Sequence, residues 1–316
     1  MRSSRAQDLS RNLYSPAMRY FLAAAEAGSI RGASRDLNIA SSAVNRQILW
    51  LEEALGLQLF DRVGRRLRLS QAGELLLAHI RRTYSDFEGT VAELDALKGL
   101  RRGTVSIATV ESVAERLLPA MISSFRKSYP GIHVNVAVSS SKDAAKKVEA
   151  AEADVGFTFD PPETSALALA FQHEIVIGAL MRPDHPLAGE KTLCLQDCLK
   201  FPVALPSEGL SIRTRIDVVR SRIPRASKTY VEANSLRLMR ALAKEDDVIG
   251  FQTLIGCEEE ISSGALIFRP LTDAPLQADK LCVVTSSLRA LALAPGMFFD
   301  HAVLFLRDHL PTLVAK

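Results

Sequence analysis

Residues 40–56 read ASSAVNRQILWLEEALG. At about 100° per residue, Ser42, Asn45 and Arg46 fall on one side of a helix, with Ser41 near its start. Val44, Ile48, Leu51 and Leu55 make an apolar stripe on the other side. Hydroxyls, an amide and a guanidinium are short hydrogen-bonding groups plus one fork-shaped cation, and what they do together is recognise a polar surface. The chain carries no nucleophile elbow, phosphate loop or dinucleotide glycine fingerprint. Its six histidines have no metal-ligand spacing with each other or with cysteine.

A polar row of this kind has to be held by neighbouring elements. Residues 17–27 form a short apolar helix closed by Gly28. Ser29 can cap a second helix running to about Leu37, on which Ile30, Ala33 and Leu37 share a face. Asn38, Ile39 and Ala40 make the turn into the third helix, which Gly56 ends. The segment LQLFDRVGRRLRLS then reads as two short strands around Val63, Gly64 and Arg65. Three compact helices and a hairpin make a winged helix-turn-helix.

Ser70 begins a longer helix. Leu77, Ile80, Tyr84, Phe87, Val91 and Leu94 recur at spacings of 3-4-3-4-3, a heptad seam expected to pack on a second copy rather than on its own chain. Residues 97–103, LKGLRRG, interrupt the pattern as a hinge. Beyond them GTVSIATV, IHVNVAV and DVGFTF read as strands alternating with the helices AERLLPAMISSFRKSY and SKDAAKKVEAAE, which implies a parallel sheet covered by helices. HEIVIGALM and KLCVVTS look like a pair of crossing strands. Between them, FPVALPS and DVIGFQT alternate with the helical RTRIDVVRSRI and SLRLMRALA. A two-lobed α/β body fits that order.

The charge of +3 on 316 residues is unevenly spread. Residues 1–82 hold thirteen arginines, no lysine and seven acids, a net +6; the other 234 residues hold 26 basic and 29 acidic groups, a net −3. A basic module on an acidic body points to a polyanion as partner of the first part alone. A helix lying in the major groove of a duplex needs short side chains for close approach and a fork-shaped donor for guanine or phosphate, which Ser41, Ser42, Asn45 and Arg46 supply. Arg62, Arg65, Arg66 and Arg68 in the hairpin would lie beside the backbone or minor groove, and Arg31 on the second helix would touch a phosphate.

The stretch MRYFLAAAEAGSIRGASRDLNIASSAVNRQILWLEEALGLQLFDRVGRRLRLSQAGELLL resembles the N-terminal domain of LysR-type transcriptional regulators. The pattern is matched at Phe21, Ala25, Gly28, Ser29, Ala33, Leu37, Ala43, Arg46, Gln47, Ile48, Leu51, Glu52, Leu55, Gly56, Leu59, Phe60, Arg62, Leu69, Ala72 and Gly73. The resemblance runs on more weakly past Gly103. It implies an α/β fold class: an N-terminal winged helix-turn-helix (15–70), a linker helix for dimerisation (71–98) and a two-lobed, periplasmic-binding-protein-like effector domain. The expected lobes are 103–178 with 280–316, and 179–279. The function implied is a sequence-specific DNA-binding regulator, not an enzyme and without a cofactor, forming a homodimer or homotetramer. Its expected partners are double-stranded DNA, a small polar or anionic metabolite and RNA polymerase. Where the family commonly has Ser-Gln-Pro, this chain has Ala40, Ser41 and Ser42, so the usual cap is missing and Ser41 is left to replace it. Leu49 and Trp50 stand where polar residues are usual.

In such a body, ligands settle at the carboxyl ends of strands and near helix N-termini. The candidates are Thr109, Ser112, Ser141 and Phe159 in the first lobe, with Pro206, Ser207, Ser211, Arg213, Asn234 and Ser235 in the second. Each serine can equally be a plain helix cap. Arg213 would meet a ligand carboxylate, whereas Glu111, beside Ser112, would select a cationic or amide group; Asp246 and Asp247 would alter the cleft's chemistry. Cys194 and Cys198, four apart, are either a redox pair or small buried apolar side chains. The start of the chain has no apolar segment of the secretory type, and no uninterrupted apolar run reaches membrane-spanning length, so the expected place is the cytoplasm.

Overall fold

The computed structural model describes residues 15–63, 66–96, 102–223 and 229–314. They divide into two units, up to Gly103 and from Thr104 onward.

The first unit opens with α1 (Pro16–Ala27), α2 (Ile30–Leu37) and α3 (Ser41–Leu55). Each stops at a left-handed residue: Gly28 at φ 60°, Asn38 at φ 54° and Gly56 at φ 65°. That conformation ends helices and suits glycine or asparagine. Ser29 caps α2 by accepting from the Gly32 amide at 3.0 Å. The strands β1 (Phe60–Val63) and β2 (Arg66–Leu69) pair antiparallel, with Arg62 opposite Leu67. Gly64 and Arg65 lie outside the described residues, as do residues 97–101 of the expected hinge. Phe21, Ala24, Ala33, Val44, Ile48, Leu59 and Phe60 form the core, with the rings of Phe21 and Phe60 5.2 Å apart. The Glu52 carboxylate accepts from the Leu59 and Phe60 amides at 2.8 and 3.2 Å, fastening the end of α3 to β1.

The long helix α4 (Gln71–Ala96) follows, with Ser70 as its cap at 3.1 Å from the Gly73 amide. A Cβ on Gly73 would lie 2.1 Å from the Leu59 carbonyl oxygen, so α4 starts against the winged domain at a distance only glycine allows. The expectation that the heptad seam packs on a second copy is corrected for its first half. Leu77 and Ile80 belong to the winged domain's own core, and Tyr84 packs at its edge. Leu94, at the far end, is exposed.

The second unit runs β3 (Gly103–Thr109), α5 (Glu111–Glu115), α6 (Leu117–Ser128), β4 (Ile132–Val138), α7 (Ser141–Glu149), β5 (Val155–Phe159) and β6 (Leu167–Met181). Then come α8 (Leu195–Cys198), β7 (Val203–Pro206), α9 (Ser211–Arg220), β8 (Val231–Ala233), α10 (Leu236–Glu245) and β9 (Ile249–Thr253). It ends with α11 (Glu258–Ser262), β10 (Ile267–Pro270), β11 (Ala278–Ser286) and α12 (Leu293–Val314). Where one helix was expected over AERLLPAMISSFRKSY, the chain makes two, broken at Arg116 with φ −136°.

The strands follow one path, β4-β3-β5-β11-β6-β9-β7-β8, with β10 also on β6. The expected parallel pairing holds for β3 with β5 and for β7 with β8 and β9. The middle is antiparallel, because β6 and β11 carry the chain out of the first lobe and back again. The change of lobe takes only three residues of β6: Ile175 packs in the first core, around Phe125, Phe157 and Phe298, and Ile177 in the second, around Leu205, Ile216 and Phe251. Leu254 and Ile255 lie within 179–279, the stretch expected to form the second lobe. Both pack into the first core as the chain leaves β9.

Candidate functional site

On α3 the apolar and polar sides separate as the sequence implies. Val44 and Ile48 are buried, whereas Ser41, Ser42 and Arg46 are exposed and Asn45 half-buried. The helix begins one residue later than a Ser41 cap would require. Ala40 is the capping residue and offers no side-chain hydrogen bond, so Ser41 is the first helical residue and its hydroxyl leaves the first-turn amides open. That corrects the expectation that Ser41 replaces the missing cap. No acid stands in the first turn of α3. None of Ser41, Ser42, Asn45, Arg46 and Arg31 has a side-chain partner among the described residues, and Arg31 is exposed on α2. Arg62 on β1 and Arg66 on β2 both stand at the turn end of the hairpin, in the neighbouring pairs Arg62–Leu67 and Val63–Arg66, with exposed Arg68 further along β2; Arg65 lies outside the described residues.

The second unit encloses a cavity of about 540 Å³ between its lobes. Of the expected residues, Ser112, Ser141, Phe159, Ser211 and Asn234 line it. Thr109, Pro206, Ser207, Arg213 and Ser235 do not. Thr109 is fully buried at the end of β3 and its carbonyl accepts from Ser139. Pro206 ends β7 among buried neighbours, and the Ser207 amide donates to Ala233. Arg213 is the clearest correction. Its guanidinium donates to Asp217 at 2.8 Å, to the Pro206 carbonyl at 2.8 Å and to Glu232 at 2.9 Å, which holds it away from the cavity that a ligand carboxylate would enter. Asp247 is likewise taken, by Arg182 at 2.9 Å, and neither it nor Asp246 reaches the cavity.

The serines sort into caps and cavity walls. Ser140, not Ser141, caps α7: its hydroxyl accepts from the Asp143 amide at 3.2 Å and donates to the Asp143 carboxylate at 2.7 Å. Ser141 is fixed through its carbonyl, which accepts from Thr158 on β5. Ser235 caps α10 at 3.3 Å from the Leu238 amide. It also donates across the cleft to Glu111 at 2.9 Å, and the other Glu111 oxygen accepts from the Leu236 amide at 2.6 Å. Gly256, at φ 90°, brings the loop after β9 against α5, where a Cβ would lie 3.0 Å from the Ser112 Cα.

Sequence reasoning missed Asp279. It stands on β11 at the cavity wall, 1% exposed, accepting from Ser211 at 2.5 Å and from the Lys280 amide at 3.0 Å. Arg215 lies 3.6 Å away and also pairs with Asp160, so α9 is tied to the end of β5. Burial pushes the Asp279 carboxyl up to about 7, and the neighbouring Asp160 charge adds to the rise. The signal available in the sequence was an acid just before the apolar run LCVVT of the strand ADKLCVVTS. Also missed was Arg240, buried on α10, which pairs with Glu115 across the cleft and with Glu260 at 3.3 Å. Burial raises the Glu115 carboxyl despite that partner.

All four cysteines are free thiols. Cys194 donates to Asp197 at 2.9 Å, and burial pushes the Cys198 thiol up to about 12, so neither is held as a reactive thiolate. Among the described residues no cluster could hold a metal ion, and no helix is long and apolar enough to cross a membrane.

Residues 16–74 match the family of bacterial regulatory helix-turn-helix proteins, lysR family, and residues 98–303 match the LysR substrate binding domain. The chain is 26% identical over 260 residues to a probable nitrogen assimilation transcriptional activator of Synechococcus elongatus, covering 81% of this chain and 83% of that one. Its fold is similar to that of full-length OxyR from Pseudomonas aeruginosa, with a TM-score of 0.67 at 15% identity over 92% of this chain and 93% of that one. It is also similar to the effector binding domain of QuiR, solved in complex with shikimate, with a TM-score of 0.57 at 15% identity over 66% of this chain and 99% of that one. With a polar row on one unit and a polar cavity in the other, the chain belongs to the LysR family: a DNA-binding transcriptional regulator with an effector-binding domain, not an enzyme.

Proposed function

We propose that α3 enters the major groove, with Ser41, Ser42, Asn45 and Arg46 facing base edges, while Arg31, Arg62, Arg65, Arg66 and Arg68 hold the sugar-phosphate backbone. What carries this reading is the row on α3 itself, exposed at Ser41, Ser42 and Arg46 and without side-chain partners among the described residues, on a unit of net positive charge. Asn45 suits adenine and Arg46 suits guanine. Two copies reading the halves of a partly palindromic operator make a dimer, or a dimer of dimers, the working assembly, and exposed Leu94 on α4 is open to a second copy. A small polar effector in the cleft favours one closure of the lobes and so shifts how the two DNA-binding units are spaced. RNA polymerase is the further partner, and the cytoplasm is where chromosomal DNA, polymerase and effector meet.

The test is capture of fragmented genomic DNA at about 150 mM salt under excess competitor, since non-specific affinity collapses with salt and specific affinity survives. A small set of retained fragments sharing a two-part sequence is the expected result. Uniform release of all fragments would contradict the reading.

A further inference from the structure

Three longer helices of the second unit begin at the cavity, and at each one a carboxylate of the chain itself already stands where an anionic ligand would go. At α7 it is Asp143, in the first turn and bonded to the Ser140 cap. At α9 it is Asp279, which accepts from the first helical residue, Ser211. At α10 it is Glu111, which reaches from the opposite lobe to the Leu236 amide and the Ser235 hydroxyl. Helix N-termini attract anions through their open amides and dipole; Glu111 takes the Leu236 amide itself, whereas Asp143 and Asp279 set a negative charge beside the first turns of α7 and α9 through the Ser140 and Ser211 hydroxyls.

The remaining charges point the same way. Among the described residues the cavity is lined by Glu111, Asp143, Glu208 and Asp279 against a single cation, Lys142. The nearby arginines are spoken for: Arg213 turns to Asp217 and Glu232, and Arg215 to Asp160. Around the carboxylates stand Ser112, Ser139, Asn234 and Thr253, which hydrogen-bond neutral donors and acceptors equally well. The hydroxyl of Ser139, a residue of the cavity wall, is buried and has no partner among the described residues. The volume of about 540 Å³ fits a compact metabolite.

We infer that the effector is a small molecule carrying a protonated amine on a hydroxyl-bearing frame, its ammonium held by Asp279 and Glu208 and its hydroxyls by the serines, and that carboxylates and phosphates are excluded. This rests on the reading of the cleft as the effector site and names the chemical class it takes.

The experiment compares two panels of equal size by thermal shift and calorimetric titration on the full chain. One panel holds amines (glucosamine, galactosamine, ethanolamine, putrescine), the other acids (shikimate, succinate, citrate, glycerol 3-phosphate). Melting shifts from amines alone are expected, with affinity weakened about tenfold by Asp279→Asn and about threefold by Glu208→Gln. Glu208 is exposed on the rim, so its variant keeps the test valid if Asp279→Asn fails to fold. Shifts from the acids would overturn the amine class and leave the cleft as effector site. Shifts from neither panel would overturn both.

Discussion

The helix that faces outward from the first unit and the helices that face the cavity of the second begin in opposite ways. At α3 the capping residue is Ala40, the first turn holds no acid, and the polar row beside it is unpaired. At α7, α9 and α10 an acid of the chain sits on or against the first turn. The same local electrostatics, a helix start whose amides and dipole favour negative charge, has no acid in its first turn in one place and a carboxylate on or beside it in each of the others. This holds even at α9, whose capping residue Leu210 offers no side-chain hydrogen bond. A helix start left bare suits a polyanion; three starts supplied with carboxylates suit a ligand that is not an anion. The contrast separates the two partners by charge, and it agrees with the net +6 of residues 1–82 against the net −3 of the rest.

The comparison can be sharpened from both sides. The largest effect is expected from Arg46→Ala. It should weaken operator binding by about 1–3 kcal/mol at fixed salt, with a smaller loss on unrelated duplex, as read by fluorescence anisotropy titration. Next comes Glu111→Ala, which removes the acceptor for the Leu236 amide and the Ser235 hydroxyl. Loss of a charged acceptor at a half-buried helix start should cost about 1–3 kcal/mol in urea unfolding of the second unit, and DNA affinity measured without effector should stay the same.

The third effect is a dependence on pH. With its carboxyl held at about 7, folded Asp279 keeps a proton that the unfolded chain releases in the ordinary carboxylate range. Its contribution is therefore full at low pH and is lost as pH rises toward and through 7. The charged groups facing it are Asp160 after β5 and Arg215 on α9. Asp279→Asn should flatten this decline, so the variant gains on the parent by on the order of 2 kcal/mol between pH 5 and pH 8 in thermal melts. The smallest effect belongs to Ala40→Asp. Supplying α3 with a carboxylate at its start should stabilise the first unit by about 0.5–1 kcal/mol and still lower DNA affinity, because the new carboxylate faces phosphate. A variant that gained both stability and affinity would break the comparison.

The outward face of α3 was legible in the sequence because helical periodicity alone divides Val44 and Ile48 from Ser42, Asn45 and Arg46, and nothing distant intervenes. The crossing of the lobes could be read from two apolar runs a hundred residues apart. The cavity was harder. Serines after strands were visible, but which of them cap and which face the ligand depends on a shift of one residue, as between Ser140 and Ser141. The roles of Glu111, Arg213 and Asp279 depend on partners far along the chain, at Leu236, Glu232 and Ser211. Arg213 looked available from its position near a loop; only the fold brings Glu232 to it. The seam of α4 misled for a related reason, since a heptad spacing shows which face is covered without showing that Leu77 and Ile80 are covered by the chain's own winged domain.

The central claim, that the edge of α3 lies against base edges in the major groove, is tested most directly by methylation protection on a captured operator. The parent protein should shield guanine N7 atoms in two half-sites about one helical turn apart, and Arg46→Ala should lose that shielding at one position in each half while the backbone footprint persists. Guanines left open to methylation by the bound parent protein, or a protection pattern that Arg46→Ala leaves intact, would contradict it.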